Sequence, residues 1–451
     1  MAYDGSRRTK VDAQPRTIWE VTGVIEAIRQ GFERTGDISY GWRMLLAVAI
    51  AQITSWGVLY YSFTVFLDPM SRELGWSVAT LTGGYSLALL VSGVAAIPVG
   101  RWLDRHSPRG LMTVGSILAT LLVLAWATID SLAVYYLIWV GIGLAMSAVL
   151  YEPAFVIVAN WFRRKRSRAL TLLTVVAGLA SVIYVPLAGW LVMTWEWRTA
   201  LIIMAGLLAI GTIPIHAFLL RRSPADVGEA VDGEPPARAD QTSGAASPAR
   251  ATLTLGDALR QQVFWWTALT FVLANFTMLA IFVHLVPYLT REGFTPGFAA
   301  TMIGVAGAMA LPGRLIITPL GEVVPRQYVA AGIFASQVLA LAVLLGTDSR
   351  AGVIVFVVLF GAGFGAVTPA RAAIVADLYG SANYGAINGA LATGVTFSRA
   401  AAPVTAGLIV TLTDSYAPVF LTLLIASLVA AIAVLRTRWL HSESSNASRE
   451  A

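Results

Sequence analysis

Apolar residues fall along this chain in twelve long runs, at 44–67, 78–102, 110–128, 132–160, 168–193, 198–220, 263–289, 298–321, 327–346, 351–378, 384–412 and 416–436. Each is close to the roughly 20 residues that a helix needs to cross bilayer hydrocarbon. Most connections are only a few polar residues long, so consecutive helices are expected to run antiparallel. The exception is 221–262, where Pro224, Pro235, Pro236 and Pro248 stand among Ala, Gly, Ser and charged residues. That composition predicts a flexible linker, and it divides the spans six and six. The expected plan is an arm (1–42), a six-helix bundle (43–221), a linker (222–262), a second six-helix bundle (263–436) and a tail (437–451). Within the arm, Ile18, Val21, Ile25, Ile28 and Phe32 recur at helical spacing. This predicts a helix lying on the membrane surface, although a partner-binding helix or a solvated arm would carry the same stripe.

Composition sharpens this picture. Hydrophobic residues make up 57% of the chain and charged residues 12%, against about 25% charged in soluble domains. So much apolar surface cannot be hidden in a water-soluble core. Cysteine is absent, which excludes disulfides, zinc ribbons and thiol catalysis. Four scattered histidines suggest no metal site, and no nucleophile–base constellation is visible. Neither an enzyme nor a bound cofactor is expected.

The net charge of +6 is carried almost wholly by arginine in short loops, a topology signal rather than a nucleic-acid footprint. Of the 31 Lys and Arg, 24 lie in the arm, the even-numbered loops and the tail. By the positive-inside rule both termini are expected on the cytoplasmic side. No short apolar region with a cleavage site precedes the first run, so no removable signal peptide is expected.

The two sets of six spans also repeat one another. Gly75-Trp76-Ser77 recurs as Gly293-Phe294-Thr295, and Gly100 and Asp104 recur at the same offset as Thr318 and Glu322. At very nearly that offset, Ala169 and Pro186 match Ala386 and Pro403, and Pro153 matches Pro369. Two parallel repeats joined by a linker are a known transporter plan. The turn after the second run, with Gly100, Asp104, Arg105, Pro108 and Arg109, resembles the loop between helices two and three of major facilitator superfamily transporters. Further strings are similar to bacterial relatives of the monocarboxylate transporters and oxalate/formate antiporters. They are Phe66 to Ser77, Tyr151-Glu152-Pro153, Asn160-Trp161-Phe162 with the basic cluster Arg163–Arg168, His284 to Leu289, Gly313-Arg314-Leu315 and Tyr384-Gly385.

The resemblance implies an all-α membrane protein of twelve transmembrane helices in two pseudo-symmetric six-helix bundles. It implies that Gly100, Asp104, Arg105 and Arg109 form a gate on the cytoplasmic side. Their eroded copy has Glu322 for the aspartate and Val323 for the arginine, so the second latch is expected to be weaker. In this superfamily helices one, four, seven and ten line the cavity. That places Gln52, Tyr60 and Tyr61 on helix one, and Asn275 and His284 on helix seven, as candidate substrate contacts. The resemblance further implies that Arg314 on helix eight and Arg399 on helix eleven clamp a substrate carboxylate.

The same charges stand out physically. An ionised side chain at mid-bilayer costs about 2.5–3.5 kcal/mol on the lenient insertion scale, so each needs a partner or water. Arg314, Arg371 and Arg399 fall inside spans, with Glu152 the one acid at comparable depth. Three cations against one acid favour an anionic substrate, because a guanidinium gives a carboxylate two parallel charge-assisted bonds. Glu152 is the natural proton site, the readiness of its protonation depending on whether Arg371 touches it, and Arg371, toward the cytoplasmic third of helix ten, is expected to be structural or part of an exit gate. The expected protein is a monomeric secondary transporter of the bacterial inner membrane, in contact with lipid and not with nucleic acid. It would move a small organic anion with protons or a counter-anion. A proton-driven efflux pump for amphipathic compounds and a non-transporting receptor of the same fold are the alternatives.

Overall fold

The computed structural model describes residues 39–233 and 253–450. The apolar stripe at 18–32 and the centre of the linker lie outside the described residues. Among the described residues, eleven helical stretches are long and apolar enough to cross a membrane. Ten are single spans: α1 Tyr40–Leu74, α2 Val78–Arg105, α3 Pro108–Trp126, α4 Leu132–Trp161, α7 Gln262–Arg291, α8 Gly297–Leu320, α9 Arg326–Leu345, α10 Arg350–Tyr379, α11 Tyr384–Thr413 and α12 Ala417–Leu440. The remaining stretch, Arg166–Leu219, has 54 residues. At 1.5 Å per residue it would reach about 80 Å, far more than one bilayer. Its backbone leaves helical geometry at Trp195 and Glu196, the latter at φ 67°, and this reversal separates α5 (166–194) from α6 (197–219). Twelve spans result, as the hydrophobic pattern predicts.

Local chemistry sets the helix starts. The Ser77, Thr295 and Ser349 side chains each accept an N–H from the first turn of α2, α8 and α10, and Pro108 opens α3 directly after Ser107. These are standard N-terminal devices. Boundaries differ from expectation mainly at the ends. α1 begins at Tyr40, inside the expected arm, and helix continues from α12 through the tail to Glu450.

The bundles meet along α2 with α11, and along α5 with α8. On the first seam, a Cβ on Gly100 would stand 1.9 Å from the Gly385 carbonyl oxygen, and one on Gly389 2.3 Å from that of Ala96. Only glycine allows backbones so close. The Asp104 carboxylate then accepts the N–H groups of Gly385 (2.6 Å) and Ala386 (2.8 Å) at the start of α11. A carboxylate at a helix N-terminus is favoured both by these free donors and by the helix dipole.

The repeat reproduces this contact. Glu322, the counterpart of Asp104 in the second half, accepts the Arg168 N–H (3.3 Å) and the Arg168 Nε–H (2.9 Å) at the start of α5. Arg168 in turn is the repeat counterpart of Gly385. The expectation of a weaker second latch rested on the lost arginine at Val323. The contact is instead made by a carboxylate, as on the other side, and is reinforced nearby. Asp377 on α10 pairs with Arg326 of α9 and, at 3.1 Å, with Arg166 of α5.

Arg105 and Arg109, by contrast, are exposed, and among the described residues neither makes an ion pair. Of the four residues expected to form the gate, Gly100 and Asp104 are the ones that contact the other bundle.

Among the described residues, every hydrogen bond or ion pair that joins the bundles lies between mid-membrane and this motif face. At the opposite face the ion pairs stay within one bundle: Asp68–Arg72, Glu73–Arg198, Asp130–Arg198 and Arg291–Asp414. The bundles are thus fastened at one face. Asp68 is held by Arg72 one turn on.

The described flanks of the linker are ordered, contrary to a wholly flexible segment. Glu229 accepts the Tyr40 N–H at 2.6 Å at the start of α1. Asp232 accepts the N–H groups of Arg163, Arg164 and Lys165 at 2.9–3.0 Å ahead of α5. After the linker, Leu253 offers its carbonyl to Asn383 at the start of α11, 2.9 Å away.

Because the chain has no cysteine, single-cysteine labelling reads the seam cleanly. Ser167→Cys places a near-isosteric thiol in a buried site that contacts Arg326 across the bundles. Adding Asp104→Ala, which removes a buried charged acceptor worth about 1–3 kcal/mol, is expected to raise its labelling rate severalfold. Unchanged labelling would show that Asp104 does not hold this face closed.

Candidate functional site

Two irregularities of the backbone shape the interior. The first is a π-helical turn, Gly57–Tyr61, within α1. Gly57 lies beneath the Tyr184 ring, which a Cβ would approach to 2.3 Å, and its carbonyl accepts from both the Ser62 hydroxyl (2.8 Å) and the Ser62 N–H (2.9 Å). A π turn inserts one residue into the helix and often marks a functional site. Here it leaves the neighbours Tyr60 and Tyr61 both half-buried, with ring centroids 5.0 Å apart.

The second irregularity is a break in α4 at Leu150, whose backbone is extended (φ −84°, ψ −154°). Pro153 has no N–H, so the Val149 carbonyl lacks its helical donor. Gln52 supplies one. Its Nε2 donates to Val149 O (2.7 Å) and Leu150 O (3.3 Å), and its Oε1 accepts from Trp56 Nε1 (3.1 Å). Gln52, expected as a substrate contact, is fully buried, and its amide bonds both carbonyls at the α4 break.

The wall that α1, α2 and α4 present is aromatic. Trp56 meets Tyr60 (5.0 Å), Tyr61 (6.2 Å) and Tyr151 (4.8 Å), and Tyr60 meets Tyr85 (5.7 Å). From the other bundle come the arginines. The Tyr61 phenol lies within electrostatic reach of both Arg314 and Arg399, Tyr151 within reach of Arg314 and Tyr85 within reach of Arg399. The rings and both cations are therefore neighbours across the interface of the bundles.

The three arginines inside the spans are satisfied differently. Arg371 Nη2 pairs with Glu152 Oε1 at 2.7 Å, and the other Glu152 oxygen accepts from Asn388 of α11. The open question of whether Glu152 meets Arg371 is thus answered: α4, α10 and α11 converge on one ion pair between the bundles. Arg399 donates through Nε and Nη2 to Asn275 Oδ1 (2.9 and 2.7 Å), and Asn275 itself donates to the Phe271 carbonyl. Arg314 donates to Gly365 O within its bundle (3.0 Å) and to Thr174 O of the other (2.6 Å). Among the described residues neither Arg314 nor Arg399 has a carboxylate partner.

His284 is drawn elsewhere, since its Nε2 bonds the Pro403 carbonyl at 3.0 Å and its ring lies by Tyr416. It ties α7 to α11 within one bundle. Asn388, Asp377 and Thr174 are the contacts that sequence reasoning missed. Asn388 had a usable signal, being a lone amide one helical turn after Tyr384 in an otherwise apolar stretch. A backbone carbonyl such as that of Thr174 offers none.

Comparison with known proteins places this geometry. A sequence model of the Major Facilitator Superfamily matches residues 44–403. The chain is 26% identical over 359 residues to monocarboxylate transporter 13 of Bos taurus, covering 76% of this chain and 77% of that protein. It is 27% identical over 210 residues to riboflavin transporter RibJ of Trypanosoma brucei brucei, covering 45% and 37%. In structure it is similar to FucP, a transporter of the superfamily in the outward conformation, with a TM-score of 0.66 at 14% identity over 87% of this chain and 98% of the other.

The role assigned to Gln52 is open to measurement. Gln52→Leu keeps the volume but leaves two carbonyls at the α4 break without a donor, at a cost of about 1–3 kcal/mol. A clear fall in Tm in detergent is expected, with ligand affinity retained. An unchanged Tm would mean that the amide is not needed at the break.

Proposed function

The chain belongs to the Major Facilitator Superfamily, and from that premise we propose that it carries a small organic anion, a mono- or dicarboxylate, across the bacterial inner membrane by alternating access. The observation that carries this reading is the pair of half-buried arginines within the spans, Arg314 and Arg399, held by carbonyls and an amide rather than by acids. Dipoles satisfy their hydrogen bonds but leave their charge, and an uncompensated charge at this depth is costly. An anion supplies the missing charge and, through forked bonds, its own specificity. The likeness to a monocarboxylate transporter over three quarters of the chain supports the same class. The efflux reading would call for a core richer in acid than this one.

In this reading Tyr60, Tyr61 and Asn275 complete the site, Asn275 by orienting Arg399 and the tyrosines by facing both cations. Gly100, Asp104 and Glu322 close the motif face, which arginine placement makes cytoplasmic, along with both termini. Arg371 belongs to the same closure at mid-membrane. Its partner Glu152 is the proposed coupling group. Protonation would cancel the acid's charge, strand Arg371 and loosen the join between the bundles, so that proton and anion act on one conformational equilibrium.

Uptake of a panel of labelled carboxylates into proteoliposomes, with and without a proton gradient, tests the class. Failure to move any of them by folded protein would sink the anion reading. Arg314→Ala is expected to abolish binding and transport, while Arg314→Lys, which keeps charge but loses the fork, should retain a small fraction. Unaltered affinity in the alanine variant would remove Arg314 from the site. Glu152→Gln should leave anion exchange measurable and eliminate uptake driven by the proton gradient. Gradient-driven uptake that survives in this variant would rule out Glu152 as the coupling group.

A further inference from the structure

The wall opposite the two arginines carries information about the rest of the substrate. Trp56, Tyr60, Tyr61, Tyr85 and Tyr151 form one unbroken series of rings, each neighbouring pair between 4.8 and 5.7 Å apart. All five are half-buried rather than sealed into the bundle. Among the described residues the hydroxyls of Tyr61 and Tyr151 have no protein hydrogen-bond partner and are not occluded. A wall built for packing would bury its rings, as Trp126 and Trp139 are buried in the same bundle. This one keeps them partly accessible, with Tyr61, Tyr85 and Tyr151 within electrostatic reach of Arg314 or Arg399, and with Tyr85 and Tyr151 backed on one face by Phe63 and Phe155 respectively.

The chemistry of that wall is selective. An aromatic face is the negative side of a quadrupole, so it attracts flat apolar groups and cations and disfavours anions. Two arginines nearby disfavour a cation. A short dicarboxylate that set one charge on an arginine would have its second beside ring faces or in competition for the same guanidinium groups. A very small acid would satisfy a fork and leave the rings wetted. A monocarboxylate with a planar aromatic body matches both walls at once, its charge on the arginines and its body against the rings.

We infer that the site selects aryl or heteroaryl monocarboxylates over short aliphatic acids. This rests on the anion reading of the same site and narrows it. The phenol groups of Tyr61 and Tyr151 are then specificity determinants, free to meet a polar substituent on the ring of the ligand.

Isothermal titration of the purified full-length protein with benzoate, phenylacetate, acetate, oxalate and benzyl alcohol tests the inference. Benzoate or phenylacetate is expected to bind at least about tenfold more tightly than acetate or oxalate, the order of gain that ring contacts provide. Benzyl alcohol should bind at least about tenfold more weakly than benzoate, for want of a charge. Tyr61→Ala should bring the affinity ratio of benzoate to acetate down toward one, and Trp56→Leu gives a second measure of that ratio should the first variant not fold.

Acetate or oxalate binding as tightly as the aryl acids would overturn the inference and leave the anion reading standing. Benzyl alcohol matching benzoate would overturn the anion reading itself. Absence of binding by every probe would overturn both.

Discussion

A guanidinium in a membrane interior has to be met by something, and the way each of three arginines is met organises this protein. Arg371 has an acid, Glu152, so that pair is neutral and joins the bundles. Arg399 has an amide and Arg314 has two carbonyls, so their hydrogen bonds are satisfied while their charge persists. The difference separates closure from recognition. A neutral pair needs no further charge, whereas two cations without an acid are where, in the proposed reading, an anion binds.

Arg314 links the two roles. Its Nη1 donates to Thr174 across the seam between the bundles, so an anion arriving at the proposed site competes with that carbonyl for one donor. In the proposed cycle, occupancy and the α5–α8 contact therefore draw on the same group. A ligand moves a conformational equilibrium only through such a differential interaction. Here that interaction has a named atom at each end.

Much of this was legible in the sequence because it depended on averages over many residues. Twelve spans follow from apolar runs of bilayer length, and the division into halves from the proline-rich break and the nearly constant offset of the repeat. Arg314, Arg371, Arg399 and Glu152 stood out because charge in an apolar run is conspicuous. What escaped were contacts decided by backbone geometry. Gln52 looks like a cavity residue until Pro153 is seen to strip the Val149 carbonyl of its donor. The π turn at Gly57–Tyr61 has no periodicity signal, and it alters which neighbours of Tyr60 share its face. The linker's composition reads as flexible although Glu229 and Asp232 fasten its first part to helix starts. Single carboxylates in a polar segment carry no label saying which N–H groups they will meet.

The repeat also shows where the two sides of the closed face diverge. Asp104 and Glu322 occupy equivalent places and accept from equivalent helix starts, Gly385 and Arg168. One turn away the equivalence fails. Asp377, paired with Arg166 and Arg326, has Asn160 as its counterpart in the first half, and Arg326 has Arg109. An amide cannot neutralise an arginine, so Arg109 remains in solvent. Asn160 instead lines a cavity of about 630 Å³ with Asp104, Arg222 and Glu229. Arg222 comes from the start of the linker and bonds the Asp104 carbonyl at 3.1 Å. One side of the face is thus held by a cluster of paired charges, the other by glycine packing, one aspartate and a segment of linker. The two need not open with equal ease. The α2–α11 side, where Asp104 is the one carboxylate holding a helix start, has fewer ionic contacts to break when the bundles part.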